Sequence, residues 1–421
     1  MTVENTYPWI TKDEIDLVVS ALEESNLSGF SGTLTSEQVD SLYSNSYDAV
    51  DSDNAFLGGK LVRRAEKEIA EICGVRYCVL LNSATSALMA SIVALGLPKN
   101  SLIGLPTVSF SATVSAVFAA GHRPVYVDID QTCTACPSAL RQAISDAHLQ
   151  AFIFVQWAGN CKNLAEISRV CNEKKVALIE DSSQATLTKT PDNKFNGTVG
   201  DCGIFSFNGP KNISAGEGGC VVTDDPSIAF YSRLTRNHGE AVLVSPDKVD
   251  INRFKIGFNL RPTEMVAALV IVQVSRREEL HDLRLQNFLT LTKELRGYAD
   301  PVDGSEEQSP YCGAFFLCSE KKGLKKFLLN RANEMGIPLF GNYPLEHWEI
   351  GRSFSAIIDI EEYPGTKNYI EKYIGIFSIA HPNNQKNMVE LSKLIRSIID
   401  DSSADLIIES GKDIFNIGRS L

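Results

Sequence analysis

Between Arg76 and Cys220 the chain alternates short apolar runs with longer stretches of helical periodicity, and no other feature restricts the fold as tightly. Such alternation gives parallel strands joined by crossover helices, because a parallel pair cannot be closed by a tight turn. The expected strands are Tyr77 to Leu81, Leu102 to Leu105, Val125 to Ile129, Ala151 to Val155, Val176 to Ile179 and Ile204 to Phe207. Helices are expected to start near Thr85, Phe110, Pro137 and Leu164; in the last, Leu164, Ile167, Val170 and Cys171 are spaced three and four apart and form one apolar stripe. The block reads as an α/β sheet covered on both faces, with its chemistry in the turns at the strand ends.

At 421 residues the chain exceeds the usual size of one core. An amphipathic start from Ile10 to Leu27 precedes a Ser/Gly/Asp-rich stretch from Ser28 to Gly59, read as a long loop or flap. From Glu264 to about Tyr298 the pattern is helical. A strand-like Gly313 to Cys318 and helices near Lys322 to Met335 and Asn387 to Ile399 then suggest a smaller α+β domain, with the last dozen residues fraying. The expected division is an N-terminal helix and loop over 1–59, a large α/β domain over 60–280 and a small C-terminal α+β domain over 281–421.

A net charge of -12 without a Lys/Arg cluster argues against a nucleic-acid surface, since nothing would neutralise phosphates along a groove. No basic leader with an apolar run begins the chain, and it has no stretch of eighteen apolar residues, so no membrane contact and a cytoplasmic location are expected. Several of the ten cysteines lie in or beside apolar segments, where cysteine acts as a small hydrophobe. Cys133 and Cys136 have CxxC spacing, yet no second pair or nearby histidines complete a metal site, and no metal is expected.

Four turns of the α/β block carry residue types that a phosphate-bearing aromatic aldehyde would need. Asn82-Ser83-Ala84-Thr85-Ser86-Ala87-Leu88 joins a strand to a helix; its free N–H groups could hold a phosphate, or Ser83 or Thr85 could be an ordinary helix cap. Phe110 could stack on a planar ring or simply pack in the core. Glu180 and Asp181 end an apolar strand, and alternation lets only one of them enter a given pocket. A carboxylate facing a pyridine nitrogen would keep it protonated and make the ring an electron sink, whereas a solvated strand end is the alternative. Finally, Phe205-Ser206-Phe207-Asn208-Gly209-Pro210-Lys211-Asn212 leads from a strand into a Gly-Pro turn presenting one lysine, followed by Gly216-Glu217-Gly218-Gly219. Most lysines are solvated, but one held in a closed pocket beside another cation becomes a usable nucleophile and proton carrier.

At these residues the sequence resembles the DegT/DnrJ/EryC1/StrS family of pyridoxal-phosphate-dependent sugar aminotransferases, of fold type I. Residues 82–88 look like its SGTxAL turn, 180–185 like EDxAQA, and Ser206 through Lys211 to Gly219 like SFxxxKxxxxGEGG. Asn237-His238-Gly239 resembles RNHG, and Gly257-Phe258-Asn259-Leu260-Arg261 resembles GxNxRM. These matches run in order across roughly residues 60 to 275.

The resemblance implies a mainly parallel seven-stranded sheet and a role for each matching residue. Lys211 would carry pyridoxal 5'-phosphate as a Schiff base and shuttle the proton; Asp181 would pair with the ring nitrogen; Gln184 would contact the ring hydroxyl. Phe110 would stack on the ring, and Ala84, Thr85 and Ser206 would hold the phosphate. Asn259 would reach the cofactor of a neighbouring subunit, which implies a homodimer with shared sites. The implied reaction moves an amino group from L-glutamate or L-glutamine to a keto sugar, expected to be nucleotide-linked. A keto-cyclitol acceptor is the rival, because Leu27 to Gly32 and Gly58-Gly59-Lys60 resemble aminocyclitol aminotransferases. The dehydratase branch carries His where this chain has Lys211, and a non-catalytic binding or regulatory protein of this fold should have lost Lys211 or Asp181. Departures are Ala84 for the family's usual Gly, Gln156 where a substrate-side His is common, Pro210 before the lysine, the long 31–56 segment and a loosely matching Tyr343-Pro344-Leu345-Glu346-His347.

Overall fold

The computed structural model describes residues 8–24, 27–30, 57–239, 257–305, 310–341 and 360–405. The 31–56 segment, Tyr343 to His347 and the last dozen residues lie outside them. In chain order, the chain runs through α1 (Lys12–Glu23), α2 (Lys60–Cys73), β1 (Tyr77–Leu81), α3 (Ala84–Ala94), β2 (Leu102–Pro106), α4 (Ser111–Ala119) and β3 (Arg123–Val127). Next are α5 (Pro137–Ala147), β4 (Ala151–Val155), α6 (Leu164–Lys174), β5 (Ala177–Asp181), β6 (Cys202–Ser206), β7 (Gly219–Thr223) and α7 (Pro226–Arg236). Then come α8 (Glu264–Ser275), α9 (Arg277–Leu295), β8 (Ala299–Pro301), β9 (Gly313–Leu317), α10 (Leu324–Glu334), β10 (Leu339–Phe340), α11 (Pro364–Lys372), β11 (Tyr373–Ile376) and α12 (Gln385–Asp405).

A seven-stranded sheet takes the order β1-β7-β6-β5-β4-β2-β3. Its adjacent strands from β3 through β6 pair in parallel, while β7 lies antiparallel between β1 and β6. The six strands expected from the apolar runs are present within a few residues; β7 was absent from that reading, and its short Gly-Cys-Val-Val-Thr run follows a glycine turn without a helix.

Period-two burial explains why both faces are covered. In β1, Tyr77, Val79 and Leu81 pack with α3 on one face, while Cys78 and Leu80 pack with α2 and α8 on the other. In β4, Ile153 and Val155 face the α3 layer and Phe152 and Phe154 face α5 and α6. Burying each such Ile, Val or Phe contributes about 1.5–3 kcal/mol.

A second sheet, antiparallel throughout, takes the order β10-β11-β9-β8. Phe315, Leu317, Ile374 and Ile376 turn toward α9, α10 and α12. Ala314 and Tyr373, on the opposite face, pack against Val108, Ile129 and Trp157 of the larger sheet's loops. Asp128, just after β3, fastens the two together: its carboxylate accepts the Gly365 and Thr366 N–H groups at 2.8 and 2.9 Å and the Thr366 hydroxyl at 2.6 Å, capping the start of α11.

Candidate active site

Strand register assembles the site. Gly219, the first residue of β7, pairs with Leu81 at the end of β1 and with Ser206 at the end of β6. The turn after β1, the end of β6 and the glycine run before β7 therefore meet at one edge of the sheet. A Cβ on Gly219 would stand 2.4 Å from the Ala84 nitrogen, so only glycine lets the backbone come this close. A cavity of about 750 Å³ opens there, lined by Ser83, Ala84, Thr85, Phe110, Asp181, Ser183, Gln184, Ser206 and Lys211 among others.

Ser83 is the N-cap of α3, its hydroxyl accepting the Ser86 N–H at 3.1 Å. The cap and a ligand-facing helix start coexist, since Ala84 and Thr85 stand at the first turn and line the cavity. Ala84 opens the helix and is not among the positive-φ residues, which explains why alanine is tolerated where the family has glycine. Phe110 caps α4 and is 47% exposed at the cavity rather than packed in the core.

The two carboxylates of β5 separate as strand alternation requires. Glu180 turns away from the cavity into a buried nest, accepting the N–H groups of Gly197, Val199 and Gly200 at 2.9, 2.6 and 2.7 Å. Burial pushes its pKa up, and these three bonds oppose the shift. Asp181 faces the cavity, with Oδ1 accepting the Ser183 N–H at 3.2 Å and Oδ2 within 3.4 Å of the Thr113 hydroxyl. Gln184 is fixed by the Ala158 N–H, which donates to its Oε1 at 2.6 Å; Ala158 itself holds a left-handed conformation at φ 56°.

Lys211 sits on the loop between β6 and β7, in a turn closed by its own N–H to the Asn208 carbonyl at 2.9 Å. Its Nζ lies 4.4 Å from the centre of the Tyr311 ring. Burial, and more weakly the Arg284 cation, lower its pKa to about 8 against the pull of the Asp181 carboxylate. Near neutrality a usable fraction of this amine is unprotonated.

Two positions that the family resemblance singled out lie outside this cavity. Gln156 does not line the cavity: it is buried behind Glu180, with Nε2 donating to Glu180 at 3.2 Å and to Asn196 at 3.0 Å. Asn259 is exposed and outside its own chain's cavity, with its Oδ1 accepting from Arg261 at 3.0 Å. Conversely, the sequence reading overlooked Tyr311, Arg284 and the apolar wall of Ile337 to Phe340 with Phe377. A charged residue in the stripe Leu280, Arg284, Phe288, Leu291 was the available signal for Arg284. Phe340 and Phe377 stack at 4.1 Å between centroids.

These residues fit pyridoxal phosphate on their own chemistry. Free first-turn N–H groups and hydroxyls suit a phosphate, Asp181 a ring nitrogen, exposed Phe110 a ring face and Lys211 an aldehyde. The buried Ser183 hydroxyl at the cavity also has no hydrogen-bond partner among the described residues. Fold and site together define a pyridoxal-phosphate-dependent enzyme.

The model of the DegT/DnrJ/EryC1/StrS aminotransferase family matches residues 38–372, and the chain belongs to that family. It is similar to the GDP-perosamine synthase of Caulobacter vibrioides, 32% identical over 52% of this chain and 58% of the relative, so the match spans little more than half of that protein's length. Among solved structures it is similar in fold to Helicobacter pylori PseC, an aminotransferase involved in the biosynthesis of pseudoaminic acid, with a TM-score of 0.78 and 21% identity over 94% of this chain and 99% of the other. The E. coli GDP-4-keto-6-deoxy-D-mannose-3-dehydratase with bound hydrated PLP matches with a TM-score of 0.74 and 24% identity over 94% and 99%.

Proposed function

We propose that this enzyme transfers an amino group from L-glutamate or L-glutamine to the carbonyl of a keto sugar, with the sugar carried as a nucleotide conjugate. The observation that carries the reading is the unprotonated-prone Lys211 amine facing the same cavity as the Asp181 carboxylate. Bound pyridoxal phosphate supplies an aldehyde carbon and an electron-accepting ring. Ala84, Thr85 and Ser206 would hold its phosphate end; Asp181, oriented by Ser183 and Thr113, would keep a proton on the ring nitrogen; Gln184 would orient the ring hydroxyl; Phe110 would stack on the ring. Lys211 would hold the cofactor's aldehyde end, and its Nζ, placed beside that end, would be the group positioned to carry a proton.

The nucleotide-linked acceptor is supported by the relative named for GDP-perosamine. Lysine at 211 favours amino transfer over the dehydratase chemistry, whose branch the resemblance marks by histidine there. A homodimer with shared sites is supported by exposed Asn259 and by Phe258, 41% exposed beside it. Among the described residues no helix is long and apolar enough to cross a membrane. None of the ten cysteines is in a disulfide, which suits the reducing cytoplasm.

Lys211→Ala tests the reading: the visible absorbance of the loaded protein and turnover with glutamate and a nucleotide-linked keto sugar should both vanish. Retained turnover in that variant would remove the assignment.

A further inference from the structure

Arg284 stands in the middle of α9, 5% exposed, on the stripe that otherwise carries that helix's core residues. No carboxylate among the described residues forms an ion pair with it. Its guanidinium is spent on main-chain carbonyls instead: Nη1 donates to Tyr311 at 2.7 Å, and Nη2 donates to Pro210 and to Lys211, each at 3.0 Å. A buried cation is costly to keep, and truncating one leaves its acceptors unsatisfied, so this arrangement calls for a reason beyond packing. The three carbonyls belong to the two segments that place the lysine amine and the ring beneath it. Tyr311 is tied in turn by its N–H to the carbonyl of Ala158, whose own N–H holds Gln184.

We propose that Arg284 is a positioning residue for Lys211: by joining the carbonyls of Pro210, Lys211 and Tyr311 it locks the lysine turn onto the Tyr311 segment and holds the amine at the cavity. The inference rests on the role assigned to Lys211 under the proposed function. It adds that α9, which carries no cavity-lining residue, holds that amine in its buried place, where burial is the main cause of its lowered pKa and the Arg284 cation a smaller one. The groups around the amine are Asp181 from β5, which favours the protonated form, Arg284 from α9, which opposes it, and Tyr311 with the Cys312 thiol from the segment before β9. Burial holds that thiol up at about 12, so it stays uncharged.

The test is the pH profile of the Lys211 amine itself. Full-length protein, treated with hydroxylamine to free the lysine, is labelled competitively with formaldehyde and cyanoborohydride across pH, and peptides are read by mass spectrometry. In the parent, Lys211 should label with a midpoint near 8. Arg284→Met should raise that midpoint toward the ordinary lysine value of about 10.4, and Arg284→Lys should bring it part of the way back. Lys325 is the internal control for the fold, since it is buried elsewhere, bonded to the Ile370 carbonyl at 2.7 Å, with a pKa lowered to about 7 by burial. A raised Lys211 midpoint beside an unmoved Lys325 supports the assignment; unmoved midpoints for both overturn it. If Arg284→Met unfolds, which Lys325 reports by losing its own low midpoint, Arg284→Lys is judged by the same two outcomes. Because the labelling needs no cofactor, a parent that labels this way yet takes up no pyridoxal phosphate would remove the proposed function and leave the Arg284 result standing.

Discussion

At the scale of single residues, a lysine is ordinarily a poor nucleophile at neutral pH because its amine is protonated. Lys211 escapes this through desolvation, which lowers its pKa to about 8. The sign follows: falling pH charges the amine and removes its lone pair. The rate of cofactor uptake by the cofactor-free chain, followed by absorbance, should therefore fall with pH below a midpoint near 8 and level off above it. Phe110→Ala should weaken cofactor binding about 3- to 10-fold, the size of one aromatic stacking contact, in equilibrium titration. Lys211, Asp181 and Phe110 were legible because each lies at a strand end or turn whose local sequence shows where it points. Arg284 and Tyr311 were not, since their part depends on chain segments 73 and 100 residues from Lys211 coming together (284 and 311 against 211). Gln156, noted as a departure where the family often has a substrate-side His, is bonded to the buried Glu180 on the face away from the cavity, a contact its own segment does not reveal.

Among the elements, the meeting of β1, β6 and β7 does most to shape the site. Gly219→Ala should force β7 away from the α3 start, costing about 1–3 kcal/mol by denaturant unfolding and lowering cofactor affinity in the same titration. Glu180→Gln sets an amide donor among the N–H groups of Gly197, Val199 and Gly200 and should destabilise by about 1–3 kcal/mol, with little change in cofactor absorbance if the fold survives. The parallel strands were readable as apolar runs because both faces of each are buried. β7 escaped because it enters from a glycine turn and runs antiparallel, without the helix that marks the others.

For the whole molecule, we propose that the two sheets are two domains meeting near residue 280, in the first turn of α9, and that the working unit is a dimer whose sites draw on both chains. Composition and length suggested two units; the latch from Asp128 to α11 and the Tyr311 segment's approach to Lys211 could not be read from either half alone. If Asn259 completes the partner's site, mixing Lys211→Ala and Asn259→Ala proteins under subunit exchange should recover turnover that neither shows alone, and no recovery would argue for self-contained sites. The proposed chemistry centres on Lys211. Borohydride treatment of the full-length protein loaded with pyridoxal phosphate, followed by peptide mapping, measures it directly. The account predicts one phosphopyridoxyl group fixed on Lys211; a group fixed on another lysine, or on none while the visible band persists, would contradict it.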